Sequence, residues 1–162
     1  MIVDSGNRTK FKTGAVRDVQ EDKGRCDLLP LSTISDFYLR EPEPSVNVSE
    51  ILRLLEKWKK TKDINHIYSA LRIFSSEKWE TYEEMFMEVS MHYKEGAKKY
   101  TEYNWQKGIP THSFLDSGVR HLLKCKRGDT DERHDRAFVW NMLGLAWTIE
   151  NKPELDDVIL PE

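Results

Sequence analysis

The acidic and histidine side chains of one predicted helix have a spacing that could hold a cation. Glu84, Glu88, His92 and Glu95 follow one another at intervals of four, four and three residues, so they lie along one side of an α-helix. Hard cations such as Mg²⁺ prefer oxygen ligands, which carboxylates one or two turns apart supply from a rigid element. The same spacing also suits a solvated face with intrahelical ion pairs, so the residues alone leave both interpretations open.

The next predicted helix pairs an acid with an arginine. Asp116 and Arg120 are one turn apart, and His121 follows Arg120 directly. A metal-binding acid beside a phosphate-binding arginine is a sensible combination, because a guanidinium group matches phosphate with two parallel hydrogen bonds. An ordinary ion pair between residues i and i+4 is the alternative interpretation.

Two polar side chains interrupt the apolar face of the last predicted helix. His134 and Asn141 are seven residues apart and therefore share a face, with Ala137 and Phe138 between them. Polar groups on a buried face are costly unless they are hydrogen-bonded. Either the two side chains satisfy groups across the bundle, or they line a buried site.

Basic and aromatic residues flank the loop between the third and fourth predicted helices. Lys98, Lys99 and Tyr100 precede the loop, and Asn104 and Trp105 lie within it. An aromatic ring can stack on a nucleobase, and an amide can read the edge of the base. A loop of this kind can equally close the end of a helical bundle.

The N-terminal segment contains a second group of charged residues. Arg17, Lys23 and Arg25 are close in sequence, together with Asp27. Because clustered basic side chains favour phosphate groups, this segment could close over a triphosphate. The alternative is a flexible charged tail.

Helices are the elements that must position these groups. The repeats of apolar residues predict helices over five stretches, namely 51–58, 64–71, 81–100, 113–122 and 132–150. No stretch alternates long enough to predict a strand. We therefore expect an all-α fold, a bundle of four or five helices. It would follow an irregular N-terminal segment over residues 1–30, with a connector over 31–48, so that 31–162 form a single helical domain.

Length, charge and cysteine usage exclude several classes of protein. The chain has 162 residues, about the length of one domain, and a formal net charge of -3, which argues against binding to a nucleic acid polymer. It has no apolar run of about 18 residues and no signal-peptide core, so we expect no membrane span. Cys26 and Cys125 lack metal-ligand spacing. Two reduced thiols in a cytoplasmic protein are expected.

A resemblance to a known family is carried by four sequence blocks, GAVRDVQEDKGRCDLLP, EGAKKYTEYNW, FLDSGVRHLLK and GDTDERHDRAFVWNML. In this order they resemble a phage-associated family of dATP/dGTP diphosphohydrolases, related to the MazG-like and MazZ-like all-α nucleotide pyrophosphohydrolases. The blocks cover roughly a third of the chain. Residues 31–80 match none of them and look like an insertion. A phage protein of this type would work in the cytoplasm of a bacterial host.

The resemblance implies a reaction and a cofactor. The implied reaction is hydrolysis of dGTP and/or dATP to the monophosphate and pyrophosphate by a water molecule that Mg²⁺ or Mn²⁺ activates. The broader pattern has ExxE on one helix and ExxD on the next. Here His92 and Glu95 stand at the corresponding spacing, with Glu88 earlier, and the next helix offers Asp116 without ExxD.

These comparisons define the predicted site. Glu88, His92, Glu95 and Asp116 are the expected metal ligands, of which His92, Glu95 and Asp116 are the expected catalytic residues. The expected substrate-binding residues come from the N-terminal segment, the loop and the last two helices: Lys23, Arg25, Asp27, Lys98, Lys99, Tyr100, Asn104, Trp105, Arg120, His121, His134 and Asn141.

Two other functions fit parts of the sequence. His134 and Asp135 form an HD dipeptide, as in HD-type triphosphohydrolases, which release triphosphate instead of pyrophosphate. A helical module that binds a nucleotide or a protein without turnover would explain the missing ExxD. The product of a dNTP incubation separates these alternatives.

The last predicted helix also suggests an assembly. It carries Trp140 and Trp147 on different faces, and a helix that is apolar nearly all round is normally buried on both sides. MazG-like relatives also pair their bundles. We therefore expect a homodimer or a homotetramer built as a dimer of dimers, with this helix in or beside the interface.

Overall fold

The computed structural model describes residues 6–19, 24–40 and 45–160, except for the side chain of Asp36. The predicted all-α class is confirmed, since helices dominate and the described strands form only a two-stranded hairpin. The strands are β1 (Arg8–Lys10) and β2 (Val16–Asp18), and the helices are α1 (Leu31–Leu39), α2 (Val46–Thr61), α3 (Asn65–Lys78), α4 (Tyr82–Lys99), α5 (Thr111–Arg127) and α6 (His134–Asn151). Short 3₁₀ turns cover Cys26–Leu28, Asn104–Lys107 and Pro153–Leu155.

Two elements differ from the sequence prediction. Helix α1 lies within residues 31–48, which were predicted to be a connector, and it brings the described α-helices to six. It has nine residues, too few for a clear periodicity, and it ends just before the proline-containing sequence EPEP at 41–44. The hairpin lies within the segment predicted to be irregular. Its strands have three residues each, too short for an alternation to be read.

The hairpin turns at a glycine. Gly14 has a φ of 86°, a left-handed conformation that a residue without a Cβ atom adopts readily. Its N–H donates to the carbonyl of Phe11, and the Phe11 N–H donates to the carbonyl of Ala15. The antiparallel register places Arg8 opposite Asp18, and Arg8 donates to the Asp18 carboxylate across the ladder.

A close approach between α5 and α6 fixes the relative positions of their polar side chains. A Cβ atom at Gly144 of α6 would lie 2.3 Å from Cε1 of Phe114 on α5. Helix α5 ends at Arg127, and the following Gly128, with a φ of 84°, stops the helix. Because interiors are close-packed, this contact holds the two helices in one register.

Helix α6 is covered within the chain by α3, α4 and α5. The Trp140 ring lies 5.6 Å from the Phe114 ring, and the Trp147 ring lies 5.0 Å from the Trp105 ring. Exposed large apolar side chains lie instead on α4, at Tyr82, Phe86, Met87 and Met91, and also on α1 and at the start of α2, at Phe37, Leu39 and Val46. The homodimer or homotetramer stays a prediction. Among the described residues, no helix is both long and apolar enough to cross a membrane.

Candidate active site

A cavity of about 540 Å³ lies between the hairpin, α4, the following 3₁₀ turn, α5 and α6. This volume falls within the range of about 300–1,000 Å³ that is typical of small-molecule sites. Tyr93, Trp105 and Trp140 contribute aromatic surface, and Arg120 and Lys124 contribute positive charge. The cavity can therefore accept a ligand with an aromatic part and an anionic part.

Polar contacts hold the hairpin against α4. The Asp18 carboxylate accepts hydrogen bonds from Lys99 Nζ at 2.6 Å and from the Tyr100 hydroxyl at 3.1 Å. Burial, together with the nearby Asp18 charge, raises the pKa of Tyr100, so its hydroxyl stays a donor. The Asn104 amide donates to the carbonyl of Val16 at 2.9 Å and accepts from its N–H at 3.0 Å. These three residues, which were predicted to bind substrate, thus hold the hairpin in place through hydrogen bonds to β2.

The hairpin places Arg17 in the cavity wall. Arg17 Nη2 donates to Ser117 Oγ and to Asn141 Oδ1, both at 3.0 Å. Its guanidinium carbon lies 5.4 Å from the centre of the Phe114 ring and 5.5 Å from that of Trp140. Nη1 is buried and has no hydrogen-bond partner among the residues that the structure describes. Burial lowers the pKa of Arg17 to about 10. Neither hydrogen-bond partner is charged, so the arrangement suits an incoming anion.

A buried ion pair orients a second arginine. Asp116 is fully buried, and both of its carboxylate oxygens accept from Arg120 Nη2, at 2.8 and 2.6 Å. One of them also accepts from the Cys26 N–H at 2.6 Å. Arg120 lines the cavity, whereas Asp116 does not. Asp116 therefore holds Arg120 in place and ties the N-terminal segment to α5.

Imidazole and carboxylate groups meet at the start of α6. His121 Nδ1 lies 2.9 Å from His134 Nδ1, and Glu132 Oε1 lies 3.5 Å from the first and 3.4 Å from the second. His134 Nε2 bonds Asp131 Oδ1 at 2.7 Å. This contact lowers the pKa of Asp131 to about 2, and burial lowers that of His121 well below its ordinary value. We name His121, Asp131, Glu132 and His134 the imidazole–carboxylate cluster.

Residues 79–158 match the family described as dATP/dGTP diphosphohydrolase, N-terminal. Just under half of the chain is thus similar to this diphosphohydrolase family. No curated protein and no solved structure matches the chain. The matched range contains α4, α5 and α6, so every cavity wall except the hairpin lies within the diphosphohydrolase match. Helices α1 to α3 precede it.

The four predicted metal ligands are not brought together in this structure. Glu88 accepts from Arg136 and Arg133 on the α6 side, and these arginines lower its pKa. His92 lines the cavity, but Glu88, Glu95 and Asp116 do not. Within the described residues, the sets of His, Cys and acidic ligand atoms close enough to share an ion are two: His121 with Glu132 and His134, and Asp129 with Asp131 and His134.

The predicted substrate-binding residues fall into two groups. Six of them line the cavity: Tyr100, Asn104, Trp105, Arg120, His121 and Asn141. His134 is buried behind His121, Lys99 supports the hairpin and Lys98 is exposed. Arg25 and Asp27 pair with each other away from the cavity lining, and Lys23 lies outside the described residues.

Two acids of the site were missed from the sequence. Asp131 and Glu132 belong to the run between α5 and α6, from which no residue was included in the predicted site. A signal was available, since both precede His134 by two or three residues, close enough for a side chain at the start of a helix to fold back on them. Ser117 of α5 was also missed, because only the hairpin contact gives it a role.

Proposed function

We propose that this chain hydrolyses dGTP or dATP to the nucleoside monophosphate and pyrophosphate in the described cavity, with the help of a divalent cation. The family description, which names a hydrolase of dATP and dGTP, supports the substrate class. The observation that carries the proposal is the Arg17 guanidinium, which lines the cavity with uncharged hydrogen-bond partners and with a buried Nη1 that has no partner within the described part of the chain. A phosphate oxygen is the partner that this group lacks.

Aromatic side chains form the surface for the base. The Tyr93 and Trp105 rings are 5.9 Å apart, and the Trp140 ring lies 6.2 Å from Tyr93. Stacking of a base on such rings contributes about 1–3 kcal/mol per base. His92 lies beside Trp140, and burial lowers the pKa of its imidazole to about 4, so the ring is neutral at pH 7. The base therefore meets apolar rings and a neutral imidazole.

Positive side chains form the surface for the phosphates. Arg17, Arg120 and Lys124 line the cavity from the hairpin and from one face of α5. Guanidinium groups bind phosphate oxygens with directed hydrogen bonds, and the charge stabilises a pyrophosphate leaving group. Asp116 acts through Arg120, because its carboxylate sets the direction of that guanidinium.

A divalent cation has suitable donors beside this surface. His121, Glu132 and His134 present two imidazole nitrogens and a carboxylate oxygen within reach of one ion. When bound, such an ion supplies an activated water molecule and neutralises charge on the leaving group. Mg²⁺ or Mn²⁺ is the expected cofactor, and the choice between them depends on the donor set argued below.

Incubation with a panel of dNTPs and NTPs tests the proposal. The tag-free chain is incubated with each nucleotide and with Mg²⁺ or Mn²⁺, and the products are separated by chromatography. We expect dGMP or dAMP with an equal amount of pyrophosphate. Release of triphosphate would replace this mechanism with HD-type chemistry, although Asp135 of the HD dipeptide bonds Arg133 and not the imidazole–carboxylate cluster. Binding without hydrolysis under any of these conditions would select a non-catalytic module.

A further inference from the structure

Two imidazole nitrogens face each other at hydrogen-bond distance in the imidazole–carboxylate cluster. His121 Nδ1 and His134 Nδ1 are 2.9 Å apart. Glu132 Oε1 lies at nearly equal distances from both nitrogens, 3.5 and 3.4 Å. Three potential ligand atoms on two separate segments therefore surround one point in space.

The fourth member of the cluster decides which nitrogen of His134 carries a hydrogen. Asp131 Oδ1 lies 2.7 Å from His134 Nε2. A carboxylate can only accept, so Nε2 is the protonated nitrogen, and the neutral imidazole has its lone pair on Nδ1. That lone pair points towards His121 Nδ1. A proton or a cation must therefore lie between the two rings.

The distances fit a cation. Two imidazole nitrogens that each lie about 2.05 Å from one metal ion, at a right angle, are about 2.9 Å apart. A carboxylate oxygen about 2.1 Å from the same ion, at an angle slightly wider than tetrahedral, is about 3.4 Å from each nitrogen. The structure has 2.9, 3.4 and 3.5 Å. Little movement is needed to bring all three ligand atoms onto one ion.

We propose that His121, His134 and Glu132 form a binding site for a divalent transition metal ion, with Asp131 as the residue that orients His134. Two imidazoles and one carboxylate favour such an ion over Mg²⁺, which prefers oxygen ligands alone. An acid that holds the outer nitrogen of a metal-binding histidine is a common arrangement. The site differs from the acidic ligand set Glu88, His92, Glu95 and Asp116 that the sequence predicted.

The site opens towards the proposed substrate. His121, Glu132 and Asp131 line the cavity, as do Arg120, which directly precedes His121, and Lys124, one turn after it on α5. Three protein ligands leave coordination positions for water and for a phosphate oxygen. This role in the reaction rests on the proposed function, whereas binding of the ion does not.

Titration with Co²⁺, followed by visible absorption and calorimetry, tests the site in the absence of nucleotide. The full-length, tag-free chain is first freed of metal with a chelator. We expect one Co²⁺ per chain with the absorption bands of nitrogen and oxygen ligation, and no thiolate band. Glu132→Gln should weaken binding by at least about 100-fold, and Asp131→Asn by about 10–100-fold. Glu83→Gln is the matched control, because this exposed acid of α4 lies far from the cluster in sequence and outside the cavity lining.

Either of two results would overturn the site: a folded wild-type chain that binds no Co²⁺, or a Glu132→Gln variant, folded by circular dichroism, that binds it as the wild type does. Failure of the site and failure of the proposed function are distinguishable. A chain that hydrolyses dGTP with Mg²⁺ yet binds no Co²⁺ retains the function without this site. A chain that binds Co²⁺ at Glu132 and hydrolyses no nucleotide retains the site alone.

Discussion

The interior between α2 and α3 is predominantly apolar, whereas the interior between α5 and α6 contains ionisable and amide groups. Leu55 and Ile67 are fully buried in the first region and contact other apolar side chains of the core. In the second region, Asp116, His134 and Asn141 are buried to a similar extent. Each of these three is hydrogen-bonded, through Arg120, Asp131 and Arg17 respectively.

The difference separates the part of the fold that contributes mainly stability from the part that carries the site. Burial of apolar area stabilises a fold at about 25 cal/mol per Å². A buried polar group contributes little net stability even when it is paired, and it costs free energy when it is not. The polar interior also lies within the matched residues 79–158, while α2 and α3 precede them. Substitutions in the apolar region should therefore lower stability and leave activity unchanged. Substitutions in the polar region should lower activity and change stability little.

The largest effect is expected at Arg17. Arg17→Gln keeps an amide donor for Ser117 or Asn141 but removes the buried charge. We expect kcat/KM for the preferred dNTP to fall by about 10²–10³-fold, as for loss of a donor that stabilises transition-state charge. Because burial lowers the pKa of Arg17, its charge is less favourable in the folded than in the unfolded chain. The melting temperature without ligand should therefore rise or stay the same.

Lys10→Gln is the matched control for Arg17→Gln. It makes the same change of charge on the same hairpin, at an exposed position outside the cavity lining. Its kcat/KM should equal that of the wild type. Equal losses in both variants would mean that hairpin charge alone, and not the buried guanidinium, matters for turnover.

In the apolar region, Leu55→Ala should act on stability alone. Leu55 is fully buried, and truncation of such a leucine costs about 2–5 kcal/mol of the free energy of unfolding. Urea unfolding measures this loss. The kcat of the fraction that remains folded, measured at low temperature, should match the wild type. A selective loss of kcat with little change in stability would contradict the division between the two regions.

The free energy of unfolding should fall in acid because of His92 on α4. The pKa of His92 is about 4 in the fold because of burial, below its ordinary value of 6.5. Between these values the unfolded chain binds the proton and the folded chain does not, so the stability falls as the pH falls. For this group the free energy of unfolding should drop by about 2 kcal/mol from pH 7 to pH 5. His92→Gln should remove this part of the slope in urea titrations at the two pH values.

The smallest effect is expected at Glu88 of α4. Its carboxylate pairs with Arg133 and Arg136 and is partly exposed. Exposed ion pairs contribute about 0–1 kcal/mol. Glu88→Gln should therefore change the free energy of unfolding by no more than about 1 kcal/mol and leave kcat/KM unchanged. A large loss of turnover would restore Glu88 as a metal ligand, as the sequence first suggested.

The helices could be predicted because their apolar repeats are long. Helices α2 to α6 have 14 to 18 residues each, enough for several turns of a stripe. The nine residues of α1 and the three-residue strands are too short for periodicity, and only tertiary contacts fix them. Asn104, for example, completes the ladder of β2 from a distant loop. No local sequence pattern predicts such a contact.

The site was predictable by residue type but not by grouping. Asn141 was selected because a polar group on an apolar helix face needs a partner, and Arg120 and His121 were selected because they lie beside an acid on α5. All three line the cavity. Three of the four predicted metal ligands were chosen from one face of α4, but the rotation of that helix turns Glu88 towards the arginines at the start of α6. Glu132 precedes α6, where helical spacing gives no information.

A crystal structure with Mn²⁺ and a dGTP analogue that cannot be cleaved between the α- and β-phosphates would show where the nucleotide and the ion bind. We expect the base against Tyr93, Trp105 and Trp140, with phosphate oxygens bonded to Arg17 Nη1. We also expect an anomalous manganese peak among His121, Glu132 and His134. A nucleotide bound outside this cavity, with Arg17 Nη1 still unpaired, would contradict the proposed site.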